Sequence, residues 1–283
     1  MPKLSFVLAV RDGEKYLDNT IKSILSQTYK DLELIIVNDH STDKTRQIAE
    51  SFVATDDRVT VLDSEREGVA AARNLGCEKS SGEIILPCDA DDPNFPNRAE
   101  VSVKELEDNK ADVFYGNLER FFEETGEREL RHFQPYDAEL LHYINFIAHA
   151  GSSAYYKYVW EKVGGYDEAI KIGEDYDFWL KAQEAGFKFT SKNIALSQYT
   201  MHAGQLTVGT KHVSKKEVSV PATQDLEKLR KRQEWNKLVR EKHGIYSVDA
   251  DYVRSHATPE VVEFYVNKNF DIWFGSESIP KKA

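Results

Sequence analysis

The sequence predicts an α/β protein with a mostly parallel central sheet and helices on both faces. Two observations carry that prediction. Apolar runs at residues 4–10, 32–37, 59–62 and 83–86 are each followed by a segment that reads as helix, the pattern of successive βα units. The polar residues that end three of these runs, Val10-Arg11-Asp12, Asn38-Asp39-His40 and Asp89-Ala90-Asp91, fall at the carboxyl ends of strands, where open α/β sheets bind their ligands. Three separated stretches of chain thus converge on one crevice.

The intervening helices are expected over residues 16–26, 42–53 and 69–79, the second introduced by Ser41-Thr42-Asp43, residues that favour helix starts. A further helix begins near Asn97. Beyond residues 112–115 the pattern becomes α+β, with segments 118–122 and 130–133 flanking Glu124-Thr125-Gly126-Glu127 as a hairpin. A helix over 157–163 leads through Gly164-Gly165-Tyr166-Asp167 to a second one that opens at Glu174 and ends at Ala185, before Gly186. Residues 209–220 read as loop, 222–243 as a charged helix, and the last forty residues as a packed tail containing Trp273. The expected division is one domain over 1–208, in halves 1–115 and 116–208, followed by a helical extension over 209–283.

At 283 residues, with 41% hydrophobic and 30% charged, the chain can bury a sizeable core. It contains no run of eighteen apolar residues that would span a bilayer. The apolar run at the N-terminus is short and soon followed by charge, which fits a first strand better than a signal peptide. Cys77 and Cys88 form no CxxC pair and lack His partners at zinc spacing, so a reducing cytoplasm is expected. A net charge of −11 argues against a broad nucleic-acid-binding surface, and a small anionic ligand would need a metal or a local cationic pocket.

Asp89, Asp91 and Asp92 bring three mutually repelling carboxylates to one point. A hard divalent cation, Mn2+ or Mg2+, relieves that repulsion and keeps coordination positions for phosphates. The plainer account is a solvated Asp-Asp-Pro-Asn turn that caps the next helix. Convergence with the other two strand ends favours a site. Neither GxGxxG nor GxxxxGK[ST] is present, which argues against a dinucleotide-binding domain and a P-loop. Ala9-Val10-Arg11-Asp12-Gly13 is also not the Gly-rich basic loop expected of a sugar nucleotidyltransferase.

Six stretches occur in an order that resembles family 2 glycosyltransferases of GT-A fold, whose central sheet is Rossmann-like. They are Gly13-Glu14-Lys15-Tyr16-Leu17, residues 37–43, residues 68–76, Asp89-Ala90-Asp91-Asp92, Gly164-Gly165-Tyr166-Asp167-Glu168 and Glu174-Asp175-Tyr176-Asp177-Phe178-Trp179. The resemblance implies an inverting enzyme that carries a sugar from a nucleotide-sugar, a UDP-sugar by preference, to a hydroxyl of a glycan or lipid-linked saccharide. Asp39 would accept from the base, Arg73 would hold the diphosphate or base, Asp89 would contact the ribose, and Ala9, Arg11 and Ala90 would line the donor. Arg73 could instead be a structural ion pair with Asp39 or Asp89. Asp91 would ligate Mn2+ or Mg2+, with His202 approaching the metal or the diphosphate. Asp175 would be the general base, with Glu174 and Asp177 as substitutes, although three acids in a first helical turn also suit the helix dipole. His149 would line the acceptor cleft, and one of Phe178 and Trp179 would form an apolar or sugar-stacking wall, with core packing the role expected of at least one of them. Two departures bear on the base: Arg11 stands where the family commonly has an aromatic platform, and Asn38-Asp39-His40 replaces paired Asp and Gly. A guanidinium can also stack on a base.

The basic helix over 223–243, with Leu226, Leu229, Trp235, Leu238 and Val239, could lie on an anionic membrane face or pack against the catalytic domain or a second subunit. The competing functions are a catalytically silent nucleotide-sugar binding subunit and, more distantly, a sugar nucleotidyltransferase.

Overall fold

A computed structural model describes residues 3–147, 150–202, 223–245 and 249–262. Four βα units come first: β1 (Leu4–Val10), α1 (Leu17–Leu25), β2 (Leu32–Asn38), α2 (Thr45–Val53), β3 (Val59–Asp63), α3 (Val69–Lys79), β4 (Ile84–Asp89) and α4 (Arg98–Asn109). They are followed by β5 (Val113–Phe122), β6 (Arg128–Arg131), α5 (Ala138–Tyr143), β7 (Ser153–Tyr156), α6 (Lys157–Val163), α7 (Glu174–Glu184) and β8 (Phe189–Met201). Helices α8 (Thr223–Lys242), α9 (Ala250–His256) and α10 (Pro259–Val262) are the last of the described elements. The sheet order is β3-β2-β1-β4-β7-β5-β6, with β8 pairing β5. Strands β1 to β4 run parallel, β7 is antiparallel between β4 and β5, β6 is antiparallel to β5, and β8 is parallel to it.

The strand residues alternate between two cores, as a pleat requires. Leu4, Phe6 and Leu8 of β1, Leu34 and Ile36 of β2, and Ile84, Leu86 and Cys88 of β4 join Leu17, Ile21 and Ile24 of α1 and Ala99, Val103 and Leu106 of α4. Val7 and Ile85 point the other way, toward Ala70 and Cys77 of α3 and the aromatic face of α7. Helix α3 lies so close to the sheet that a Cβ on Gly76 would sit 2.4 Å from Val7 Cγ1.

Where the elements differ from expectation, side-chain bonding explains the difference. Helix α2 starts at Thr45 rather than at residue 42, because Thr42 and Asp43 are taken up in binding the loop after β1. Thr42 N donates to Asp12 Oδ1 at 2.7 Å, and Glu14 N donates to Asp43 Oδ2 at 3.0 Å. The hairpin partner β6 ends at Arg131 rather than 133, because Phe133 N donates to Asn117 Oδ1 at 2.8 Å and leaves the ladder. Strand β8 is not foreseen in the sequence. Two register shifts opposite Gly116, Asn117 and Leu118 break the alternation that would have marked it.

The C-terminal helices pack against α7 and its core. Val239 and Val253 are buried in the same core as Tyr176 and Trp179, with Trp235 packed against it. Two of the residues that a membrane surface would claim, Trp235 and Val239, are thus used inside the protein, while Leu238 is 53% exposed. The expected loop over 209–220, the side chains of Leu226 and Leu229, and Trp273 lie outside the described residues. Among the described residues no helix is long and apolar enough to cross a membrane.

Docking is secured by charge. Asp177 of α7 is fully buried and accepts from Lys242 Nζ at 2.6 Å and His243 Nε2 at 3.0 Å, while His243 Nδ1 donates to Glu184 at 2.6 Å. Two carboxylates on two ring nitrogens require the imidazolium form. Burial would lower the His243 pKa, and the bonds to Asp177 and Glu184 outweigh it and raise the value. Burial would likewise raise Asp177, and the bonds from His243 and Lys242 hold its carboxyl well below the usual range. A raised histidine stabilises fully below its unfolded pKa and loses that contribution as pH rises through the folded value. His243→Gln should therefore cost about 1–3 kcal/mol below the ordinary histidine value of 6.5, with the difference fading above it. Urea unfolding across a pH series measures this, and a difference independent of pH would reject the charged pairing.

Candidate active site

Parallel register brings the three predicted strand ends side by side: Ala9 is opposite Val37 and Asp89, and Val10 is opposite Asn38. The chain turns sharply after two of them, with Asp12 at φ 50° and His40 at φ 57°, a left-handed conformation that Asp and His adopt more readily than most residues. A Cβ on Gly13 would lie 2.7 Å from Val10 and 3.4 Å from Ala90, so the first turn closes tightly over the crevice floor. Asp39 is buried and accepts from the Gly68 amide at 3.1 Å and from His40 Nδ1 at 3.1 Å. Arg11 reaches across to an ion pair with Glu67, beside Gly68. The loops after β1, β2 and β3 therefore meet around Asp39.

Arg73 stands at the centre. It is 4% exposed, on α3, and donates to Asp89 Oδ1 at 2.8 Å and to Glu174 Oε1 at 2.5 Å. Its guanidinium also lies 5.7 Å from the centre of the Tyr166 ring. Burial alone would lower the Arg73 pKa, and Asp89 and Glu174 outweigh it and raise it. Burial pushes the Glu174 carboxyl up to about 7, with Arg73 pulling against it and Asp175 adding to it. The ion pair with Asp89 is the structural partnership considered above, and Glu174 joins it from 101 residues away.

The next residue, Asn74, locks the motif Gly164-Gly165-Tyr166 to α3. Its amide donates to Tyr166 O at 2.8 Å and to Glu168 at 3.1 Å, while its carbonyl accepts from Tyr166 N at 2.8 Å and Trp160 Nε1 at 3.0 Å. A Cβ on Gly165 would fall 2.6 Å from Asn74 Oδ1, at φ 74°, so glycine is needed there on both counts.

Asp91 and His202, 111 residues apart, meet with Nε2 2.9 Å from Asp91 Oδ2. Asp92 is buried and accepts from Thr200 N at 2.7 Å, and Thr200 Oγ1 donates to Asp91 O at 2.5 Å, so the end of β8 is stitched to the acidic turn. Arg98, fully buried, donates to Pro87 O and Ser153 O, each at 2.9 Å, where β4 and β7 part after Ile85. Among the described residues no group of three His, Cys, Asp or Glu side chains is close enough together to hold a metal by itself. One carboxylate and one imidazole can serve Mn2+ where phosphate and water complete the shell, whereas Mg2+ takes oxygen ligands and would use the carboxylate.

The acids at the start of α7 take three separate roles. Glu174 is buried on Arg73, and Asp177 is buried on α8. Asp175 is half-buried, its Oδ1 accepting from Tyr176 N at 2.7 Å and Asn145 Nδ2 at 3.4 Å. Phe178 and Trp179 are both fully buried in the core, so neither forms a sugar-stacking wall. His149 lies outside the described residues. Sequence reasoning passed over Asn74, Asn145, Glu67, Tyr16 and Glu123. Asn74 and Tyr16 carried a signal, their places in the matched stretches 68–76 and 13–17.

An open mixed sheet with carboxylates gathered at the ends of β1, β2 and β4, and a helix start joined to one of them through Arg73, is a GT-A fold. The description Glycosyl transferase family 2 matches residues 5–164, more than half of the chain, and the chain belongs to that family. It is 30% identical over 190 residues to an uncharacterized glycosyltransferase of Rickettsia typhi, covering 64% of this chain and 58% of that protein. It is 29% identical over 178 residues to the glycosyltransferase GlyA of Streptococcus pneumoniae, covering 63% and 23%, and 37% identical over 124 residues to GlyG of the same organism, covering 44% and 41%. The chain thus spans less than two thirds of each relative's length. Among solved structures, S. aureus TarS 1–349 in complex with UDP superposes with a TM-score of 0.62 at 17% identity, over 95% of this chain and 75% of that one. The mannosyltransferase PcManGT of Pyrobaculum calidifontis, in complex with GDP-Man and Mn2+, gives 0.59 at 16% identity, over 96% and 70%.

Arg73→Met removes the cation between the buried Glu174 carboxylate and the half-buried Asp89 and should cost about 3–5 kcal/mol at neutral pH. The deficit should shrink as the solution is acidified below about 7 and Glu174 takes up its proton, which urea titrations at several pH values would reveal.

Proposed function

We propose that the chain is a metal-dependent, inverting glycosyltransferase that moves a sugar from a nucleoside-diphosphate sugar, by preference a UDP-sugar, to a hydroxyl of a glycan or lipid-linked saccharide. The observation that carries this reading is the double ion pair of Arg73, which ties a donor-side carboxylate, Asp89, to the helix start that bears Asp175. A donor crevice and a candidate base are thereby held in one rigid frame, as displacement at an anomeric carbon requires.

In this reading Asp39 accepts from the nucleotide base, with Arg11 and His40 beside it, and Asp89 accepts from the ribose. Ala9 and Ala90 leave room for the donor at the strand ends. Asp91, joined by His202 where the ion is Mn2+, would hold Mn2+ or Mg2+, which supplies charge neutralisation for a departing diphosphate. Asp175 takes the acceptor hydroxyl proton. The acceptor oxygen forms the new bond to the anomeric carbon as the bond to the diphosphate oxygen breaks on the opposite face, giving inversion. Asp175 is favoured over its neighbours because it is half-buried, whereas Glu174 is buried on Arg73 and Asp177 on α8. TarS in complex with UDP and UDP-GlcNAc supports a uridine donor, and PcManGT with GDP-Man keeps guanosine in the comparison. Free Cys77 and Cys88 suit the cytoplasm, and a lipid-linked acceptor would bring the protein to the inner face of the membrane as a peripheral visitor.

Calorimetric titration with UDP, with and without Mn2+ and against GDP, tests the donor. Metal-dependent binding of UDP alone is expected, GDP alone would reassign the base, and binding of neither would favour a silent subunit. Asp175→Asn should keep donor affinity and lower turnover by about 10²–10⁴-fold. Near-normal turnover would remove Asp175 from the role of base.

A further inference from the structure

Tyr16 takes no part in the reading above, yet it sits where three segments of the crevice meet. Its half-buried ring packs against the His202 imidazole, with centroids 4.6 Å apart and planes at 36°. The Tyr16 hydroxyl donates to Glu123 Oε2 at 2.9 Å, and Lys15 Nζ pairs with Glu123 Oε1 at 2.6 Å. Glu123 is itself tied down, its amide donating to Met201 O at 3.1 Å. The start of α1, the end of β5 and the end of β8 thus close around the His202 side chain, which is only 13% exposed.

An imidazole at the end of a strand can rotate about two bonds, and its Nε2 stays aimed at Asp91 only if the ring plane is held. The aromatic contact with Tyr16 restrains that plane from one side. The Glu123 carboxylate fixes Tyr16 in turn, and Lys15, 4.8 Å from the centre of the Tyr16 ring, balances the charge of Glu123.

We propose that Tyr16 is a positioning residue that holds His202 against Asp91, so that the two present a preformed divalent-cation pair to the donor diphosphate. The proposal rests on the metal reading of Asp91 and His202 given above. Outer groups that orient a metal-binding imidazole commonly matter about 10–100-fold in metal affinity. A tyrosine that merely fills space would change stability without changing affinity through His202.

The test is Mn2+ uptake by the full chain in the presence of UDP, with free Mn2+ read by electron paramagnetic resonance. Tyr16→Leu and His202→Ala should each weaken binding about tenfold or more, and the double variant should be no weaker than His202→Ala alone. Tyr16→Phe keeps the ring and should weaken binding less than Tyr16→Leu. If Tyr16→Leu does not fold, Tyr16→Phe and Glu123→Gln carry the test, each expected to weaken binding with His202 present and not in its absence. Tyr16 and Glu123 variants that bind Mn2+ like the wild type, while His202→Ala and Asp91→Ala do not, would overturn this proposal alone. A wild type that takes up no Mn2+ with UDP would overturn the metal reading and this proposal together.

Discussion

A buried guanidinium must be paired, and the way Arg73 meets that requirement organises the rest of the crevice. Removing it from water is costly unless carboxylates and hydrogen bonds replace the lost solvent. Asp89 and Glu174 supply them, and they come from β4 and α7, elements on opposite sides of the chain's midpoint. Satisfying one charge therefore fixes a helix, a strand and a second helix relative to one another. Asn74 repeats the logic one residue on, with every hydrogen-bonding group of its amide occupied by the segment that leads to α7.

The first half of the fold is legible in the sequence because β1, β2 and β4 are covered on both faces and read as apolar runs, interrupted by Ser5 and Glu33, between polar ends. The second half is less so. Strand β7 has four residues, and β8 has a bulged register, so neither shows a usable period. The site divides in the same manner. Asp39, Asp89 and Asp91 can be located as strand ends, since a strand end is a local property. The partnership of Arg73 with Glu174 and the stacking of Tyr16 on His202 depend on contacts across 101 and 186 residues, which no local pattern carries. The acidic turn at the start of α7 reads as one feature in the sequence, yet its three carboxylates face three different partners.

The C-terminal helices belong in this picture through α7. Gly173, at φ 89°, opens that helix, and a Cβ there would meet Asn236 of α8 at 3.2 Å. Asp177, Lys242 and His243 then clamp the same pair of helices one turn later. The helix that bears Asp175 is thus braced from the donor side by Arg73 and from the far side by α8.

Arg98 carries an implication for synthesis of the chain. Strand β4 pairs with β7 only through Ile84 and Ile85, and beyond that point the guanidinium bridges Pro87 O and Ser153 O. Until residue 153 arrives, a buried cation beneath the acidic turn lacks one of its carbonyl acceptors. A nascent chain emerging from a ribosome, which folds from its N-terminus onward, can assemble the first four βα units early, with Asp89 already set beside Ala9 of β1, but the other edge of β4 is covered only once the later half exists. The crevice therefore matures late, and a truncated translation product would carry the acidic motif on a strand with one edge uncovered.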